Sequence, residues 1–312
     1  MHKPFLTYSQ QISKLKNQKK LTINDEANAI EILHNIGYFS LIGGYKNPFI
    51  NPMTRIYNPG TTFDDIFALY TFDKELREIV FKYLCEVEQH IRESISYAFC
   101  SVHGEMQAEY LNPANFDSAH ARQPEIDKLI RTLDYIANKD TDHEYIVHQR
   151  KVHKNVPLWV AMKVLTFGQI SHFYTYLPHS LKAMISKEFV GINEAELGQY
   201  LRAFTLFRNV CAHNERLFTF QLGGLDFHDT PLHKKLCIPQ KGTQYIYGKK
   251  DLFGLVIAMR YLLSKESFIS FKKSLTVTIS KFTHQSNCIS ESQLLDMMGF
   301  PQNWNNITRY KL

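Results

Sequence analysis

The longest regular pattern in the chain begins at Thr62. Leu69, Leu76, Val80, Tyr83, Leu84, Val87, Ile91 and Ile95 recur at helical spacing as far as Phe99. Such a stripe marks a helix with one face in a core. Phe63-Asp64-Asp65 puts acidic side chains where the positive end of the helix dipole favours them. At 1.5 Å per residue this helix should be roughly 50 Å long. A second strong pattern runs from Glu194 to Phe220.

Weaker periodicity predicts helices over Ser9–Lys16, Asp25–Ile36, Asp117–Ile136, Asp142–Lys151 and Leu158–Phe167. Further helices are expected over Ser171–Tyr176, Leu181–Phe189, Leu252–Leu263, Phe268–Phe282 and Glu291–Met298. Asn24 or Thr22 is placed to cap the second of these helices, and Gly37 to end it. Gly168 reads as a kink or boundary. The β-branched run Thr276-Val277-Thr278-Ile279 argues against the Phe268–Phe282 helix on propensity alone.

Two stretches break the pattern. Tyr38–Pro59 is rich in aromatics, Gly, Pro and Asn, and reads as a loop or small hairpin with turns at Gly43-Gly44 and Asn58-Pro59-Gly60. Leu222–Asp251 reads as a long irregular insertion with a strand-like Tyr245-Ile246-Tyr247 run. The expected class is all-α. It divides into an N-terminal helical and aromatic-loop extension (1–60), a helical core (61–220), and an insertion followed by C-terminal helices (221–312).

A chain of 312 residues that is 44% hydrophobic can bury a sizeable core, which excludes global disorder. The net charge of +6 permits a polyanionic partner without demanding one. Cys85, Cys100, Cys211, Cys237 and Cys288 are scattered and form no C-x-x-C. A disulfide framework or zinc ribbon is therefore not expected, and a reducing cytoplasm is the natural setting. No apolar run approaches the ~18 residues of a membrane span, and the N-terminus lacks a secretory apolar core.

The chemistry concentrates in Phe207-Arg208-Asn209-Val210-Cys211-Ala212-His213. On a helical wheel, Phe207, Val210, Cys211, Leu217 and Phe218 share one arc, and Arg208, Asn209, Ala212, His213 and Arg216 share the opposite one. In a continuous helix Asn209 and His213 would be i, i+4 neighbours able to hydrogen-bond, and His213 and Arg216 would be i, i+3 neighbours. Arg208 and His213 lie at the two edges of that face, so one copy aims them apart. Two copies packed face to face would bring each histidine near the partner's arginine. A solvated surface has the same composition, and the wheel alone does not separate the two readings.

Arg208-Asn209-Val210-Cys211-Ala212-His213 resembles the R-polar-x-x-x-H motif of HEPN-superfamily ribonucleases. Other segments resemble the bacterial Abi-like abortive-infection family, the AbiD/AbiF group. They are Lys3-Pro4-Phe5-Leu6-Thr7-Tyr8 with Gln11, Ile36-Gly37-Tyr38-Phe39-Ser40-Leu41, Gly44-Tyr45, and Leu69 through Arg77. Val87-Glu88-Gln89-His90-Ile91-Arg92, Pro157-Leu158-Trp159, Leu165-Thr166-Phe167-Gly168, the run Arg208 to Phe218, and Met298 through Trp304 continue the likeness in order.

The resemblance implies a HEPN-like helical bundle acting as a phage-defence or toxin-like ribonuclease, restrained in some relatives by a structured small RNA. Type VI CRISPR effectors pair two such motifs in one chain, whereas this sequence carries one clear copy, so a paired site requires a homodimer. The implied reaction is metal-independent. The substrate's 2′-OH attacks its own phosphorus, with His213 moving the proton, Arg208 stabilising the phosphate and Asn209 orienting one of them. No cofactor is expected. The alternative is a non-catalytic RNA-binding regulator that uses the same face.

Other features have plainer readings beside functional ones. Asp73 and Arg77, like Glu88 and Arg92, are i, i+4 pairs. Asp73 falls on the apolar arc and needs a buried partner. These four residues either lock the bundle or help to shape an RNA site. Arg216, Lys234, Lys235, Lys249 and Lys250 are candidate RNA contacts, and Tyr38, Phe39, Tyr45, Tyr245 and Tyr247 offer either base-stacking or packing surfaces. His143 with His148, and His228 with His233, lack the spacing of a helical zinc site.

Overall fold

The helix that begins after Thr62 organises everything else. The computed structural model describes residues 4–117 and 122–311. In chain order the helices are α1 (Tyr8–Ser13), α2 (Glu26–Ile36), α3 (Phe63–His103), α4 (Gln107–Tyr110), α5 (Gln123–Asn138), α6 (Glu144–His148) and α7 (Leu158–Ala161). They continue with α8 (Phe167–Tyr176), α9 (His179–Ser186), α10 (Glu194–Ala212), α11 (Pro231–Lys235), α12 (Leu252–Leu262), α13 (Lys265–Gln285) and α14 (Glu291–Met298). About 65% of the protein is helical, which makes the class all-α. The only sheet among the described residues is a two-residue hairpin, β1 (Gln240–Lys241) against β2 (Gln244–Tyr245).

The 41 residues of α3 span about 60 Å. Thr62 caps its start in a reciprocal box. The Thr62 hydroxyl accepts from the Asp65 N–H, and Asp65 Oδ2 accepts from the Thr62 N–H at 2.8 Å. Every apolar position of the predicted stripe is buried. α13 packs along α3, with ring centroids 5.0 Å apart for both Phe72–Phe282 and Tyr83–Phe271. The β-branched run of α13 is helical here because this packing outweighs its propensity. α10 packs on another side of α3 and against α8. One continuous buried cluster includes residues from all three of the segments 1–60, 61–220 and 221–312.

Several boundaries differ from the sequence reading. Asp25, not Asn24 or Thr22, caps α2. Of the expected helix over 117–136, residues 118–121 lie outside the described residues, and α5 begins at Gln123. Lys3, the first residue of the opening motif, lies outside them too. α7 stops at Ala161, and a new helix starts at Phe167 because Thr166 and Gln169 form a capping box, so Gly168 sits in a first turn and is not a kink. The expected loop at Tyr38–Pro59 holds a π-helical turn, Phe39–Gly43, and a 3₁₀ turn, Asn47–Phe49. Gly43-Gly44 is thus part of that π-helical turn and its end. α14 occupies the predicted span, closed by Gly299 in the left-handed conformation.

Candidate functional site

α10 begins at a capping box between Asn193 and Glu196 and ends eight residues earlier than the periodicity predicts. Asn214 adopts φ 54°, the Glu215 N–H donates to the Val210 carbonyl at 3.0 Å, and the Asn214 N–H reaches the Cys211 carbonyl at 3.4 Å. This is a Schellman closure with asparagine where glycine is usual. His213 is therefore the C-cap residue, and Arg216, Leu217 and Phe218 lie beyond the helix. His213 and Arg216 are therefore not i, i+3 neighbours on one helix, because the chain turns between them at Asn214. His213 N–H donates to the Asn209 carbonyl at 2.9 Å, but no hydrogen bond joins the two side chains.

The segment after His213 is held from below by α3. Asp73 is fully buried. Its Oδ2 accepts from the Tyr45 hydroxyl at 2.6 Å, from Arg77 Nη1 at 2.7 Å and from the Leu217 N–H at 3.1 Å. Its Oδ1 accepts from the Phe218 N–H at 2.7 Å. Arg77 Nη1 also donates to the Glu215 carbonyl at 3.2 Å. Burial pushes the Asp73 carboxyl above its ordinary value, and Tyr45, Arg77 and the two backbone donors pull it back. Burial and the Asp73 carboxylate push the Tyr45 phenol up, and Arg77 pulls it part of the way back. The Tyr45 ring stacks on Phe218 at 5.9 Å and meets Tyr70 edge-on at 5.3 Å. Asp73 and Arg77 thus do more than pair: they fix the chain that leaves the motif helix.

Arg208 sits about one and a half turns before His213 and faces another neighbourhood. Its guanidinium lies 5.5 Å from the Phe81 ring centroid, and its Nε is 3.9 Å from Glu88 Oε2. Glu88 Oε1 is already bonded to Arg92 at 2.8 Å, and Arg92 also donates to the Leu165 carbonyl at 3.3 Å. Glu88 therefore stands between two arginines and holds Arg208 only loosely. Asn209, Ala212 and His213 are exposed, while Cys211 is buried and its thiol is pushed up to about 12 by that burial. All five cysteines are free.

His213, Asn214, Glu215 and Arg216 form one wall of an open cavity of about 710 Å³. The opposite wall comes from the end of α2 and the π-helical turn, including Asn35, Phe39 and Gly43. Arg216 Nη1 donates to the Gly44 carbonyl at 2.6 Å and ties the two walls together. Of the other candidate RNA contacts, Lys249 pairs with Asp229 at 2.5 Å and Lys250 with Asp226 at 3.4 Å. Lys235 donates to the Lys311 carbonyl at 2.8 Å, and Lys234 is exposed on the short helix α11. Among the described residues no cluster of three metal-ligating side chains forms, and no helix is long and apolar enough to cross a membrane.

Sequence reasoning missed Asn214 as the helix terminator and Tyr45 as a donor to Asp73. An asparagine just past the last periodic residue is a usable stop signal, though weaker than glycine. Nothing local marks Tyr45, whose partner lies 28 residues away.

Neither the curated proteins nor the solved structures compared with the chain gave a match. The Abi-like protein family matches residues 31–219, from within α2 to the residue after Phe218. That span covers more than half of the chain and contains α3, α10, the Asp73–Phe218 contact and both cavity walls. The chain belongs to the Abi-like protein family.

Proposed function

We propose that this protein is a metal-independent endoribonuclease. Membership of the Abi-like family points to abortive infection, a form of phage defence, as its setting. Cleavage of RNA is a natural effector activity for that role. The observation that carries the reading is the exposed imidazole of His213 lining a cavity beside a cation, Arg216, just before the backbone that buried Asp73 holds at Leu217 and Phe218. The 2′-OH of the substrate attacks the adjacent phosphorus, the bond to the 5′-oxygen breaks, and the products carry a 2′,3′-cyclic phosphate and a 5′-OH. His213 transfers the proton, a contribution typically worth ~10²–10⁴ in rate. Arg208 stabilises charge on the phosphate oxygens, and Asn209 orients histidine or phosphate.

His213 follows Arg208 by five positions, which on an ideal helix means ~7.5 Å of rise and opposite edges of one face. Two chains in a HEPN-like arrangement satisfy both roles, with His213 of one copy meeting Arg208 of the other. Phosphate would displace the loose contact of Arg208 with Glu88. Lys234, Lys235, Lys249 and Lys250 extend the basic surface for substrate or for a structured inhibitory RNA, although the last two are already paired with aspartates. The test is incubation of labelled RNA with wild type, His213→Ala and Arg208→Ala in EDTA. Cleavage by wild type alone supports the reading. Salt-sensitive binding without cleavage by any of the three favours the non-catalytic RNA-binding regulator instead.

A further inference from the structure

The cavity above His213 is built from two chemically different walls. One presents the imidazole of His213 and the guanidinium of Arg216, and the other presents the Phe39 ring with the Asn35 amide. Its volume of about 710 Å³ falls within the ~300–1,000 Å³ of small-ligand sites.

Phe39 is 87% exposed at the mouth. Single exposed aromatics are common, and the informative features here are the neighbours of this ring and its support. A Cβ at Gly43 would lie 3.3 Å from Phe39 Cδ2, so the missing side chain lets the ring rest against the backbone of its own π-helical turn. Arg216 is bonded to Gly44, the residue that closes the same turn. The Arg216 guanidinium is therefore tied to the end of the turn that carries Phe39, whose ring is open to solvent.

We propose that this cavity takes one unstacked nucleotide of single-stranded RNA, with its base on Phe39 and its phosphate toward Arg216 and His213. The assignment rests on the ribonuclease reading and adds a condition to it. The strand must be unpaired at this nucleotide, because a base inside a duplex has no free face to offer. The Glu215 carboxylate on the same wall disfavours a polyphosphate, so the site suits a phosphodiester and not a nucleoside triphosphate. Phe39 acts through binding and holds no proton.

The experiment uses the full-length chain and a 2′-O-methyl tetranucleotide containing 2-aminopurine, which cannot be cleaved and loses fluorescence when its base stacks. Wild type should bind it with quenching. Phe39→Ala should weaken binding roughly 5- to 150-fold and abolish the quench, and Phe39→Trp should restore both. Because Phe39 is exposed, its variants should fold as wild type does, which circular dichroism checks. Wild-type binding without quenching, or equal binding and quenching by Phe39→Ala, would overturn the assignment. Quenching that depends on Phe39 in a protein that never cleaves RNA would keep the nucleotide site and overturn the ribonuclease reading. Cleavage whose KM ignores Phe39→Ala would do the reverse.

Discussion

Oδ1 of Asp73 accepts the backbone N–H of Phe218 at 2.7 Å across 145 residues of sequence. That contact joins the central helix to the chain leaving the motif, and with Arg77 and Tyr45 it fixes the path of the segment that follows His213.

Asp73→Ala would leave the Arg77 cation, the Tyr45 hydroxyl and two backbone donors buried without their acceptor. Losing one member of such a pair typically costs about 3–5 kcal/mol. Chemical denaturation should show a loss of that size, whereas Glu88→Ala, at a partly solvated pair, should cost less. Equal losses at the two positions would contradict this ranking.

A site shared between two chains makes complementation possible. Arg208→Ala and His213→Ala should each be inactive alone. Mixed and allowed to exchange subunits, they should recover up to about a quarter of wild-type activity, because half of the dimers would hold one intact composite site. A site complete within one chain predicts no recovery.

Arg216→Ala should lower the slope of log binding constant against log salt by about 0.7 to 1 for a single-stranded RNA. Lys249→Ala and Lys250→Ala should change the slope less, since each lysine already faces an aspartate. Binding titrations at several salt concentrations decide between these outcomes.

Much of the scaffold was legible in the residues themselves. The α3 stripe, its start at Thr62, the stop at Gly37 and the whole of α14 follow from periodicity and stop signals, which are local. The motif helix was overextended because Leu217 and Phe218 happen to continue the apolar phase of Val210 and Cys211. Their burial is real, but it comes from backbone bonds to Asp73 after the chain has turned at Asn214. Periodicity cannot register that capture by a distant carboxylate. The π-helical turn at Phe39–Gly43 was equally hidden, since a single such turn leaves no repeat to read. Of the candidate residues, the sequence located Arg208, Asn209 and His213 on one segment. The loop partner at Gly44 and the contact between Glu88 and Arg208 depend on tertiary packing.

Asp251 offers a pH-dependent reporter away from the candidate site. It caps α12, accepting from the Gly248 and Gly254 N–H groups at 3.0 Å, and burial pushes its carboxyl up to about 7. A raised folded-state value means that folding favours the protonated form. The stabilisation is complete below about pH 4 and is lost as pH rises through 7, at about 1.4 kcal/mol per unit of pKa difference. Asp251→Asn retains an acceptor but cannot ionise. The stability of wild type relative to this variant should fall as pH rises from 4 to 7. The neighbouring His233, whose Nε2 donates to the Gly248 carbonyl at 3.1 Å and which burial holds neutral, titrates in both proteins and cancels in the difference. A flat difference would contradict the assignment.

The central claim is tested most directly by the ends that cleavage leaves. Purified wild-type protein incubated with RNA in EDTA should yield fragments with 2′,3′-cyclic phosphate and 5′-OH ends, and His213→Ala, folded as wild type, should yield none. Cleavage that survives His213→Ala but dies in EDTA, or that leaves 5′-phosphate ends, would contradict it.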